Sequence, residues 1–178
     1  MTQPINELLH SHPHYADLLL IASSGFIDAV GIWLIGASIF GTTMRPFVGL
    51  LLVFALRQLT QALCVLPAPE GMIWRSPGLP SLLVTYHVAN DFFFSGHTAI
   101  AVFGATQLAR LKRSGFLALG VALTSFEIAI VIVLRAHYTM DVFAGAIAAL
   151  WASYVADHAA PILDRAIRGR SKTTSKPD

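Results

Sequence analysis

Two histidines forty residues apart, His97 and His137, are the side chains in this sequence best suited to carry chemistry. His97 lies in Asn90-Asp91-Phe92-Phe93-Phe94-Ser95-Gly96-His97-Thr98, and His137 opens His137-Tyr138-Thr139-Met140-Asp141. Ser95 is a residue type that caps a helix start. A helix beginning there aims the backbone N–H groups of Gly96, His97 and Thr98 at an anion. Gly96 allows close backbone approach, and His97 then stands beside a bound phosphate as a proton donor. His137 and Asp141 are four apart, the spacing that places two side chains on one helix face. A carboxylate there fixes the imidazole tautomer through one ring nitrogen and leaves the other free to attack phosphorus. Either histidine alone reads equally well as a helix cap touching lipid headgroups. The pair with Asp141 reads as phosphoryl transfer.

The solvent for this chemistry is a bilayer. Of 178 residues, 55% are hydrophobic and 12% charged, with mean hydropathy +0.65, against about 25% charged in soluble domains. The length fits one domain. The single cysteine, Cys64, sits in an apolar run and excludes an internal disulfide; it reads as a small core residue. His10, His12 and His14 alternate, but Pro13 breaks any regular face and no carboxylate or cysteine joins them, so they read as a surface segment. Residues 1–16 lack the basic start of a cleavable signal peptide.

Five apolar runs, at 18–40, 48–66, 95–109, 116–134 and 139–160, predict an all-α, polytopic transmembrane helix bundle. Most approach the ~20 residues a bilayer crossing needs; the third is short and belongs partly inside the bundle. Residues 67–94 carry Pro67, Pro69, Pro77 and Pro80 in a loop, followed by an expected interfacial helix at 81–89. Gly145 and Ala149 share a face suited to close helix contact. From Arg165 onward the chain is basic and is expected to be disordered. The expected division is a non-cytoplasmic segment at 1–16, a membrane catalytic domain at 17–162 and a basic cytoplasmic tail at 163–178.

Alternating spans define two faces. Face X holds the N-terminus, the 67–94 loop and the turn before His137. Face Y holds Arg45, Arg110, Lys112, Arg113, Arg165, Arg168, Arg170, Lys172 and Lys176, nine of the twelve lysines and arginines. By the positive-inside rule Y is cytoplasmic and X periplasmic or lumenal, the arrangement of a multi-pass protein of a bacterial inner membrane. This topology, chosen without regard to chemistry, puts His97 and His137 on the same face.

The segments Asp91-x3-Ser95-Gly96-His97-Thr98 and His137-Tyr138-Thr139-x-Asp141-Val142, with Leu66-Pro67-Ala68-Pro69 after Arg57, resemble the motifs of the sphingomyelin synthase branch of the type 2 phosphatidic acid phosphatase (PAP2) superfamily. The resemblance covers about residues 57–155 and implies a PAP2-like bundle, with a sixth span to be sought before Arg57. It makes His137 the nucleophile, Asp141 its orienting partner and His97 the general acid and base. The phosphatase branch has an arginine six residues before the nucleophilic histidine, where this chain has Val131. A site short of cations suits a singly charged phosphodiester.

The implied activity moves phosphocholine or phosphoethanolamine from a glycerophospholipid to a lipid alcohol such as ceramide through a phosphohistidine. The alternatives are a PAP2-type lipid phosphatase or phospholipase C-like hydrolase, and a catalytically silent lipid carrier. Expected substrate contacts are Asp91, Ser95, Gly96, Thr98, Tyr138, Arg57 and Arg75, with the aromatic faces of Trp74, Tyr86, Phe92, Phe93, Phe94 and Tyr138 as candidates for a quaternary ammonium. Asp28, Arg57 and Glu127, costly inside spans, lie at similar depths and are expected to form a buried cluster. No cofactor, metal or nucleic acid is called for; the partners are a phospholipid donor and a lipid acceptor, with homo-oligomerisation left open.

Overall fold

The computed structural model describes residues 2–64, 66–84, 86 and 92–173. The described residues form helices α1 (Gln3–Ser11), α2 (Pro13–Phe40), α3 (Arg45–Leu63), α4 (Gly96–Ala109), α5 (Ser114–Val133) and α6 (Thr139–Thr173), and no strand. The all-helical class expected from the runs is observed. Four of these helices, rather than five or six, are long and apolar enough to cross a membrane. The chain is therefore an integral membrane protein.

Several boundaries differ from expectation. Residues 3–11 are helical rather than irregular, and α6 continues to Thr173 where a disordered tail was expected. Both misread stretches are polar, and polarity marks exposure rather than lack of helix. Pro13 and Pro46 open helices instead of ending them: a first-turn N–H has no intrahelical acceptor, so its loss costs little. Pro161 sits inside α6, which continues past it. Residues 81–84 are not helical, and the rest of the expected 81–89 helix lies largely outside the described residues.

The expected third span is α4, whose 14 residues reach only ~21 Å against a hydrocarbon core of ~30 Å. Its neighbours show why. The position of a Cβ on Gly96 lies 3.7 Å from Arg57 Nε, and Arg57 is six residues before the end of α3. Gly145, six residues into α6, faces Ser95, whose carbonyl oxygen lies 2.5 Å from where a Cβ would stand. Six residues are ~9 Å of helix rise. The start of α4 thus lies alongside residues within α3 and α6 rather than level with the end of either, and the 66–84 loop contributes Trp74, Leu83 and Val84 to the cavity beside it.

α4 packs against α5 and α6, and α3 against α6. One buried cluster joins Leu34, Val53, Phe94, Ala99, Phe103 and Ala149. A second joins Leu9, Leu20, Ile73, Val131, Leu134 and Val142 around the upper end. Outward faces carry Phe40, Leu63, Met140 and Tyr154, all largely exposed, as suits a lipid solvent. At the opposite end a polar knot binds three helices. Buried Arg45 donates to Asp157 and Gln107, and to Ser153 Oγ at 2.8 Å; Arg110 also reaches Asp157.

Gly145 allows the closest backbone approach near the site. Gly145→Val should lower the melting temperature in detergent by an amount equivalent to about 1–3 kcal/mol of overpacking. Gly36→Ala, whose Cβ meets nothing within 4 Å, should leave it unchanged; equal melting of the two variants would remove the constraint assigned to Gly145.

Candidate active site

The first motif folds as its residue types dictate. Ser95 caps α4: its Oγ accepts from Thr98 N at 3.3 Å and from Thr98 Oγ1 at 3.0 Å. Both side chains are fully buried, so they shape the helix start. Thr98 N–H is consumed by the cap and is not available to an anion as the sequence reading expected. The N–H groups of Gly96 and His97, in the first turn, have no intrahelical acceptor and remain the candidate anion donors.

The second motif is positioned by the end of α5. Arg135 adopts φ 51°, and Ala136 N donates to Val131 O at 2.9 Å, the left-handed turn that commonly ends a helix. The chain reverses and delivers His137 in the turn before α6. Asp141, in the first turn of α6, accepts from His137 Nδ1 at 3.2 Å and from the backbone N of Tyr138 at 3.0 Å. The carboxylate, 1% exposed, therefore closes half a capping box and orients the imidazole with one oxygen. With Nδ1 so engaged, Nε2 of His137 is the nitrogen left to act.

The two motifs meet directly. Ser95 N donates to Asp141 O at 3.0 Å, tying the residue before α4 to the start of α6. His97 and His137 line one cavity with Gly96, Arg57, Trp74 and Phe92. His97 is within electrostatic reach of His137, Arg57 and Asp28. Its Nε2 is buried and has no hydrogen-bond partner among the described residues. The Trp74 ring stands edge-on to His97 at 5.2 Å, and Phe92 approaches His137 at 6.2 Å.

The cavity holds about 40 Å³, and Trp74, Leu83 and Val84 of the 66–84 loop form part of its wall. That loop is pinned at several points. Ile73 N donates to Leu134 O at 2.8 Å, Arg135 Nη1 to Glu70 O at 2.9 Å and Tyr138 OH to Pro67 O at 3.2 Å. Asp28 accepts from Ser81 Oγ, Leu82 N and Leu83 N, each at 2.9 Å. Tyr86 shares a hydrogen bond with Ser24; burial pushes its phenol above the ordinary range, the Ser24 bond acting in the opposite sense.

Other expected site residues fall elsewhere. Arg75 pairs with Asp17, Nη2 to Oδ1 at 2.7 Å, and is not among the residues lining the cavity. Tyr138 is also outside the lining and contributes its backbone N–H to Asp141. Asp91 lies outside the described residues. Of the three residues expected to cluster, Asp28 holds the loop, Glu127 accepts from Ser23 Oγ at 2.6 Å and Arg57 lines the cavity. Asp28 as a loop anchor was missed, because its partners lie more than fifty residues away.

A model of the AtPDCT1/2 family, that of phosphatidylcholine:diacylglycerol cholinephosphotransferase, matches residues 1–158. No curated protein and no solved structure matches the chain. The family match corrects the resemblance drawn from the two motifs: the family is not the sphingomyelin synthase branch of the PAP2 superfamily. Headgroup phosphotransfer in a membrane is common to the two descriptions, which is why the motifs pointed to the right chemistry and the wrong name.

Removing the Asp28 carboxylate unpins the loop. Asp28→Ala should make the 66–84 segment more sensitive to limited proteolysis and cost about 1–3 kcal/mol of stability, the cost of leaving hydrogen-bonding groups unpaired. An unchanged digestion pattern would remove Asp28 from this role.

Proposed function

The chain belongs to the AtPDCT1/2 family, a family of membrane lipid-headgroup transferases, and we propose that it moves phosphocholine from phosphatidylcholine to diacylglycerol. The acceptor is diacylglycerol in place of the ceramide expected from sequence. The observation that carries this reading is the shared cavity: His97 and His137 line it together, with Asp141 on the far nitrogen of His137.

In the first step His137 Nε2 attacks phosphorus and the bond from phosphorus to the glycerol oxygen breaks. His97 gives its proton to that oxygen, and diacylglycerol leaves. Phosphocholine remains on His137. A second diacylglycerol then binds, its hydroxyl passes a proton to His97, and its oxygen attacks phosphorus as the P–N bond breaks. Both histidines end as they began. The anionic phosphodiester beside His97 favours the imidazolium needed at the outset, and Asp141 balances charge developing on the His137 ring. Arg57 and the Gly96 and His97 N–H groups receive the phosphate oxygens. The faces of Trp74 and Phe92 supply the quaternary ammonium with roughly 0.5–2 kcal/mol each. The site opens toward face X, the non-cytoplasmic side by the basic excess at the other end.

The test uses purified protein in nanodiscs with choline-labelled phosphatidylcholine and a diacylglycerol of distinct chain length. Label should appear in phosphatidylcholine carrying the new chains; soluble phosphocholine as the main product would mean hydrolysis and overturn the transferase reading. His97→Ala, His137→Ala and Asp141→Asn should each lower turnover by about 10²–10⁴, with unchanged gel-filtration profiles. Phosphorus-labelled donor should leave acid-labile label on His137 when acceptor is withheld, and none in His137→Ala.

A further inference from the structure

A groove runs down the outer surface of the bundle beside the site. Its floor and one wall come from a single stripe of α6: Met140, Phe143, Ala144, Ile147, Ala148 and Trp151. Leu56 of α3 and Phe93 complete it, and its volume is about 440 Å³. Every lining residue is apolar, so the groove offers an occupant no hydrogen bond. Small Ala144 and Ala148 form the bottom, while Phe143, Ile147 and Trp151 stand about half exposed along the side.

Its position relates it to the chemistry. Leu56 precedes Arg57, Phe93 follows Phe92 and Met140 precedes Asp141, so three lining residues are chain neighbours of the site. The backbone adopts φ 117° at Phe93; Phe92 lines the cavity and Phe93 the groove. From Met140 to Trp151 is eleven residues, or ~16 Å of helix rise. Half of a ~30 Å hydrocarbon core is ~15 Å. The groove therefore runs from the level of Asp141 to about the bilayer midplane, the depth an acyl chain covers in one leaflet.

We propose that this α3–α6 groove seats one acyl chain of the phosphatidylcholine donor whose headgroup occupies the histidine cavity, and so sets how that lipid enters. The proposal rests on the transfer reaction above and names the hydrocarbon part of its donor. Donor and acceptor of different chain lengths test that assignment. Seating a chain here draws the glycerol end toward Asp141 and His137 and makes binding depend on chain length.

Filling the groove tests this. Ala144→Phe should raise KM at least tenfold for long-chain phosphatidylcholine; an effect confined to long-chain diacylglycerol would overturn the assignment. The substitution should leave kcat and KM for dibutanoyl substrates unchanged. Equal effects on short and long chains, or none, would overturn the proposal. Should Ala144→Phe fail to fold, Ile147→Trp, at a half-exposed position, makes the same comparison. A second measurement does not depend on turnover. Phosphatidylcholine with a diazirine at its acyl terminus should label the α6 stripe in preference to Val121, exposed near the middle of α5, and excess unlabelled lipid should compete. Uniform labelling of the two helices would mean ordinary lipid contact and sink the idea, whereas selective labelling without transfer would retain the groove and remove the proposed reaction.

Discussion

The hydrogen bond from Ser95 N–H to the carbonyl of Asp141 is the contact on which the arrangement turns. It is a main-chain bond, so no side-chain identity secures it directly. What secures it is the absence of one: Gly145 leaves room for the Ser95 carbonyl, which even a methyl group would strike. Once α4 and α6 are joined there, His97 on one and Asp141 on the other are held within a turn of their helix starts. The carboxylate then orients His137 from the side away from the cavity. Two segments distant in sequence thus share an environment through one backbone contact.

The start of α4 has electrostatic meaning. Its unpaired N–H groups are enclosed among helices and the 66–84 loop, a low-dielectric setting where they act on an anion far more strongly than in water. Arg57 of α3 lines the same cavity, and the loop supplies part of its wall. Its attachments to α2, α5 and the turn before α6 are polar and individually modest, which suits a cover that closes without being part of the core.

Much of this was legible in sequence where the determinants are local. Hydropathy located α2, α3, α5 and α6, Ser95 announced a cap, and the four-residue spacing of His137 and Asp141 described a real hydrogen bond. His137 lies in the turn before α6 rather than on its face, and the bond forms because Asp141 reaches back across the first turn. What failed involved distant partners. Nothing near Asp28 in the chain reveals that Leu82 and Leu83 will bond to it, and Arg75 looks free until Asp17 is placed beside it. Short signature motifs pointed to headgroup phosphotransfer but could not fix the family, which the match over residues 1–158 gives as AtPDCT1/2.

At the far end of α4, Arg45 gathers Gln107 and Asp157 while Arg110 holds Asp157 as well. Together with the Ser95 contact, this fastens the short helix at both extremities. Each residue advances an α-helix by about 100°, so slipping by a single position would swing the imidazole of His97 out of the cavity. A rod pinned at top and bottom cannot screw about its own axis. The knot on one side of the membrane therefore fixes the azimuth of a ring on the other.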